Sequence, residues 1–123
     1  MTITDSRHSF ADTVSMLTRR ITDAGNTIFA SIDQTAAAVS VGLSLRPTTL
    51  IVFGNPKGGT PLMEACPPLA MDLPLKILIW EEEGRVRIGY VPVSEIVTRY
   101  GVTGMEARVE AMDRALDGLA NAL

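Results

Sequence analysis

The run Gly54-Asn55-Pro56-Lys57-Gly58-Gly59-Thr60 joins an apolar segment, Thr48–Phe53, to a helix expected to start at Thr60 and Pro61. Glycine-exposed backbone N–H groups beside a helix N-terminus attract anions. The spacing also copies part of a phosphate-binding loop, with Gly54 followed by four residues, then Gly59 and Thr60. Such a loop places a lysine between its last glycine and the hydroxyl residue. Here that lysine is missing and Lys57 sits inside the loop, which argues against nucleotide hydrolysis. The run instead suggests a weaker anion site at Lys57 and the N–H groups near Thr60. The alternative is a turn that simply needs its glycines.

Other chemistry-bearing groups are sparse. A nucleophilic thiolate needs a base or a positive surrounding. The single cysteine, Cys66, has only His8 to call on, and His8 lies in a polar N-terminal stretch. Cys66 therefore reads as a structural thiol. One His and one Cys far apart make no metal ligand set, and no cofactor is implied. Glu81-Glu82-Glu83 reads as a solvated hairpin tip,. Acid–base work by paired carboxylates would need Asp33, Asp72 or Glu81 to converge,. The remaining candidate ligand site comprises Asp33, Asn55, Lys57, Thr60 and Lys76, placed where strand ends meet the Gly54–Thr60 loop.

The elements that must position these residues belong to one ordinary globular domain. The chain has 123 residues, 46% of them hydrophobic and 20% charged, with a net charge of −3. Basic residues occur singly apart from Arg19-Arg20, which supplies no face for nucleic acid,. No apolar stretch reaches the ~20 residues of a membrane span. A single cysteine excludes an internal disulfide and fits a reducing, cytoplasmic compartment,. The expectation is one domain over residues 1–123, with residues 1–8 a flexible N-terminal segment.

Hydrophobic spacing predicts a helix over Phe10–Ala24, with Phe10, Val14, Leu17, Ile21 and Ala24 on one face,. Ser9 and Asp12 read as its capping box and Gly25 as its stop,. Asn26–Asp33 reads as a strand with Ile28, Ala30 and Ile32 on one side and Phe29 and Asp33 on the other,. Gln34–Val41 is a short helix or an ordered loop. Thr48–Phe53 is apolar on both faces and so reads as central,. Leu75–Trp80 and Arg85–Val91 form a hairpin,. A short helix follows from about Pro92, and a last helix opens with Thr103 and Glu106 as a capping box,. Its stripe is Met105, Val109, Met112, Leu116, Leu119 and Leu123. The predicted class is α+β: a mostly antiparallel four- to five-stranded curved sheet with two long helices on one face. The fifth strand would be a short one before the first helix.

Several segments resemble a known family. Leu45–Leu50, Phe53-Gly54-Asn55-Pro56, Gly59–Met63, Asp72-Leu73-Pro74-Leu75-Lys76 and Trp80-Glu81 are similar to the signature of the domain of unknown function 302 family. Gly25, Phe29, Ile32-Asp33, Arg99 and Gly101 also fit. The resemblance implies a fold like one half of the TATA-binding protein, without DNA binding, and a bacterial homodimer. It assigns no reaction. Relatives often carry a histidine where this chain has Gln34 and Tyr100, so any imidazole-dependent chemistry is lost or altered here,. Three functions follow as expectations. The first is a small-ligand-binding domain, with a small anion as ligand. The second is a homodimeric interaction module, and the third an enzyme resting on Cys66 or on Asp33 and Glu81.

Overall fold

The structure, a computed structural model, describes residues 1–123. Five strands are present: β1 (Thr2–Ser6), β2 (Thr27–Asp33), β3 (Thr48–Gly54), β4 (Leu75–Glu82) and β5 (Arg85–Tyr90). They form one open sheet in the order β1-β5-β4-β3-β2, antiparallel throughout. Five α-helices accompany them: α1 (Phe10–Asp23), α2 (Gln34–Ser40), α3 (Pro56–Ala65), α4 (Val93–Arg99) and α5 (Glu106–Ala120). A 3-10 helix covers Pro67–Asp72.

Strand alternation divides the sheet into two faces. On β3, Thr49, Ile51 and Phe53 are buried, as are Ile77 and Ile79 on β4 and Ile88 on β5. This inner face meets Leu17 and Ile21 of α1 and Leu116 and Leu119 of α5 in one core. Leu50, Val52, Leu78 and Trp80 point to the outer face, and each is only half-buried.

Residues 1–8 hold the short fifth strand expected before the first helix rather than a flexible segment. Thr2–Ser6 is a full edge strand, with Thr2 opposite Tyr90 and Ser6 opposite Val86. Asp5 anchors it by ion pairs to Arg85 and Arg87 of β5, and Ser6 Oγ bonds to the buried Thr13 Oγ1 at 2.6 Å. Its pairing partners lie far away in sequence, so local spacing suggests a strand here without fixing its register.

On β2 the expected facing is broken by a bulge. Ile28 sits opposite Phe53, but Ala30 sits opposite Val52, leaving Phe29 as the extra residue. The slip moves Ala30 and Ile32 to the outer face while Ile28 stays on the inner one. The β4–β5 turn is tighter than expected. Glu83 and Gly84, at φ 52° and 76°, are its two central residues, the backbone that a two-residue hairpin requires.

Two helix starts also differ from expectation. α3 opens at Pro56 with Asn55 as its N-cap, so Thr60 and Pro61 lie inside the helix. Pro61 has no N–H to give the carbonyl four residues back, which belongs to Lys57. Arg108 Nη1 on α5 takes that carbonyl instead, at 2.8 Å. α5 in turn opens at Glu106 without a Thr103 cap. Glu106 Oε1 accepts the N–H of Gly104 at 3.0 Å. At α1 the cap holds in half, with Ser9 Oγ accepting the N–H of Asp12 at 3.1 Å.

Candidate functional site

Asn55 sets the local geometry where β3 passes into α3. Its Oδ1 accepts the N–H of Lys57 at 3.0 Å. Its carbonyl accepts the N–H groups of Gly58 at 2.9 Å and Gly59 at 3.1 Å. The backbone anion cradle expected near Thr60 is therefore closed, because the capped helix satisfies these donors itself. What remains is the Lys57 side chain, whose ammonium stands in none of the chain's ion pairs.

Lys57 and Asn55 border an open cleft of about 1420 Å³ between the end of α1, the start of α3 and α5. Phe53, Met105, Met112 and Leu116 supply its apolar surface, while Arg20, Asp23, Glu106 and Arg108 supply charge. Two of the arginines are committed to structure. Arg20 Nη1 donates to the Asn121 carbonyl at 2.8 Å, and Arg108 holds the Lys57 carbonyl. Lys57 is thus the uncommitted cation of the cleft. The sequence pointed to Asn55 and Lys57, but Arg108 carried no local signal and enters only through the packing of α5 on α3.

The other three expected site residues stand outside this cleft, though Thr60 remains beside Asn55. Thr60 does not line the cleft but lines a neighbouring hollow with Phe29, Met63 and Pro74, and Asn55 borders both. Lys76 stands opposite Val52 on the outer face of the sheet, away from the cleft. Its Nζ donates to the Pro74 carbonyl at 3.1 Å and, more weakly, to that of Asp72 at 3.5 Å. Asp33 pairs with Thr49, whereas Gly54 pairs with Thr27 at the other end of β2. That strand length separates Asp33 from Asn55 by roughly 20 Å. Asp33 is the N-cap of α2, its Oδ1 accepting the N–H of Ala36 at 2.9 Å.

No carboxylate pair forms from the groups considered. Glu81 lies at the far end of β4 from Asp72, with its N–H on the Pro47 carbonyl. Glu82 is shared between Arg46 and Arg87. Cys66, partly buried, links α3 to the 3-10 helix.

Asp72 instead organises a cluster that the sequence did not assemble. Its Oδ2 accepts from the Tyr100 hydroxyl at 2.8 Å and from Arg99 Nη1 at 2.9 Å. The Tyr100 hydrogen bond, followed by Arg99, holds the Asp72 carboxyl below the usual carboxylate range against partial desolvation. The same bond pushes the Tyr100 phenol upward. Tyr100 thus serves as a neutral donor to a carboxylate. A depressed folded-state pKa stabilises the protein above the unfolded carboxylate range and loses that contribution as pH falls through the folded value. The wild type should therefore lose melting temperature as pH drops below about 4. Asp72→Asn should show a shallower fall over the same range in a pH series of thermal melts. Parallel curves would mean that Asp72 contributes nothing to acid sensitivity.

An open, five-stranded antiparallel sheet with helices packed on it defines this protein as an α+β domain. Aligned with the crystal structure of an uncharacterized conserved DUF302 protein from Bacillus stearothermophilus, it gives a TM-score of 0.88 at 16% identity, over 98% of this chain and 94% of that one. The chain belongs to the family described as Domain of unknown function DUF302, which matches residues 2–123. It is also 41% identical over 78 residues to proteins named Fluoride-specific ion channel FluC 1 from Brucella suis biovar 1 (strain 1330) and Brucella abortus biovar 1 (strain 9-941). These matches take in 63% of this chain but only 31% and 29% of the two relatives. The chain thus spans about a third of the length of those proteins. No helix of this chain is long and apolar enough to cross a membrane.

Proposed function

We propose that this DUF302 domain binds a small organic anion in the cleft between α1, α3 and α5, with Lys57 as the anchoring cation. The carrying observation is an unpaired ammonium at the border of a large concave surface whose apolar part includes Met105 and Met112. Clefts that combine apolar walls with a few fixed polar groups are the usual form of ligand sites. Methionine side chains adapt to ligands of irregular shape. Relatives that bear a similar segment are named as fluoride-specific ion channels, which fits a domain that responds to small anions. A single free thiol fits a cytoplasmic setting,.

A native mass spectrum of the purified protein, taken beside a denaturing one, tests this reading. The expected result is added mass per subunit that disappears on denaturation. Lys57→Ala should lose that mass, or weaken binding roughly tenfold or more, without a change in melting temperature beyond a few degrees. Asn55 is unsuitable for the test, because its loss also removes the cap of α3. Absence of retained mass, with no saturable binding across a panel of small carboxylates and phosphates, would overturn the reading.

A second reading is a homodimeric interaction module without catalysis. The outer face favours it, since Leu50, Val52, Leu78 and Trp80 carry no packed long helix and Ile3 and Ile32 are exposed. A dimer mass with no bound ligand in the same spectrum would support this alternative.

A further inference from the structure

We propose a second binding site, on the outer side of the sheet, for a medium-chain carboxylate. It lies apart from the cleft, and it rests on three observations.

The first is a cavity of about 230 Å³ with mostly apolar walls, among them Leu50, Leu78 and Ile96. At ~30 Å³ for each water-sized group it holds roughly eight such groups, which suits a medium alkyl chain. The second is the charge around it. Asp72, Lys76 and Arg99 are the only ionisable Asp, Glu, Lys or Arg side chains in its lining. Arg99 and Asp72 neutralise each other through a 2.9 Å ion pair, and the Met1 ammonium at the rim is paired with Glu95 at 3.3 Å, so one positive charge is left over, on Lys76. The third is the way Lys76 is held. Its ammonium is oriented by the carbonyls of Asp72 and Pro74 and forms no ion pair with any carboxylate.

An oriented, unmatched ammonium beside an apolar pocket is complementary to a ligand with one negative head and one apolar tail. Lys76 is exposed, so the head remains at the solvent boundary. There the charge-assisted hydrogen bond forms without full desolvation of the ion. The tail replaces water along Leu50 and Leu78. A neutral alcohol of equal length gains the tail contacts without the head contact, and a short acid gains the head contact without the tail contacts.

The test is calorimetric titration of the whole chain with octanoate, butanoate and 1-octanol. Octanoate should bind saturably and at least tenfold tighter than the other two. Buried methylenes contribute roughly fourfold each, which sets an upper limit on the chain-length effect. Lys76→Gln should weaken octanoate roughly tenfold and Lys76→Arg should restore it, with melting temperatures recorded to show that both variants fold. Lys57→Ala should leave the Lys76-dependent octanoate binding unchanged and remove only binding that belongs to the cleft. No saturable octanoate binding, or equal affinity in Lys76→Gln and wild type, would overturn the proposal. Loss of binding in Lys57→Ala alone would overturn it too, by assigning the carboxylate to the cleft and leaving the first reading intact. A dimer that excludes octanoate from the sheet would also count against it.

Discussion

Phe53→Ala is expected to lower stability by about 3–5 kcal/mol, which corresponds to roughly 12–20 °C in melting temperature for a domain of this size. Phe53 is 1% exposed and sits on β3 between its cross-strand neighbours Ile28 and Leu75. Truncation removes the ring's burial and leaves a hollow that strands hydrogen-bonded on both sides cannot collapse to fill. Because Phe53 also lines the cleft, water can enter the hollow, and that places the loss toward the lower end of the range. Phe29→Ala is the internal comparison. Phe29 is the bulged residue and 55% exposed, so its loss should cost less than about 1 kcal/mol. Thermal melts of the two variants check both expectations. Equal losses would mean that the bulge contributes as much to the fold as the core does.

Asp113→Ala is expected to destabilise by about 2 kcal/mol, combining a lost helix cap with a backbone donor left unpaired. Asp113 belongs to α5, yet it caps α4. Its Oδ1 accepts the N–H of Val93 at 2.6 Å and its Oδ2 that of Ser94 at 3.2 Å. The residue at the N-cap position of α4 itself, Pro92, provides no side-chain acceptor. Val93 is fully buried, so water cannot readily replace the missing partner. Asp113→Asn keeps one acceptor oxygen and should fall between wild type and Ala in chemical denaturation. An Ala variant as stable as wild type would show that α4 is fixed by packing alone.

How much of this was legible depended on how far each determinant lies along the chain. The α1 stripe, its stop at Gly25, the β4–β5 hairpin and the α5 stripe are written in local spacing, and the structure follows them. The start of α3 was expected at Thr60-Pro61 and lies at Asn55-Pro56, which meets the same rule of a capping residue before proline,. Arg108 supports the earlier start by taking the carbonyl that an internal Pro61 leaves free. The β2 bulge was hidden because period-2 reading assumes an uninterrupted ladder.

The candidate site divides the same way. Asn55 and Lys57 are near neighbours, and they do share the cleft. Lys76 looked adjacent because β4 pairs with β3, but its parity sends it through to the opposite face. Asp33 is accounted for by a bond three residues ahead, as the cap of α2. The Asp72, Arg99 and Tyr100 cluster joins the end of a 3-10 helix to the end of α4, a meeting that only the tertiary fold arranges.

The pairing of β1 with β5 has a bearing on biosynthesis. Thr2–Ser6 leaves the ribosome well before its partners Val86–Tyr90, which follow roughly 80 residues later. At the usual ~5–20 residues per second of synthesis, the first strand waits roughly 4–16 seconds before its ladder can exist. During that interval the nascent chain holds a short polar strand that has nothing to pair with, and its charged Asp5 discourages pairing with a neighbouring chain. A strand made early in this domain is therefore among its last to be locked in place.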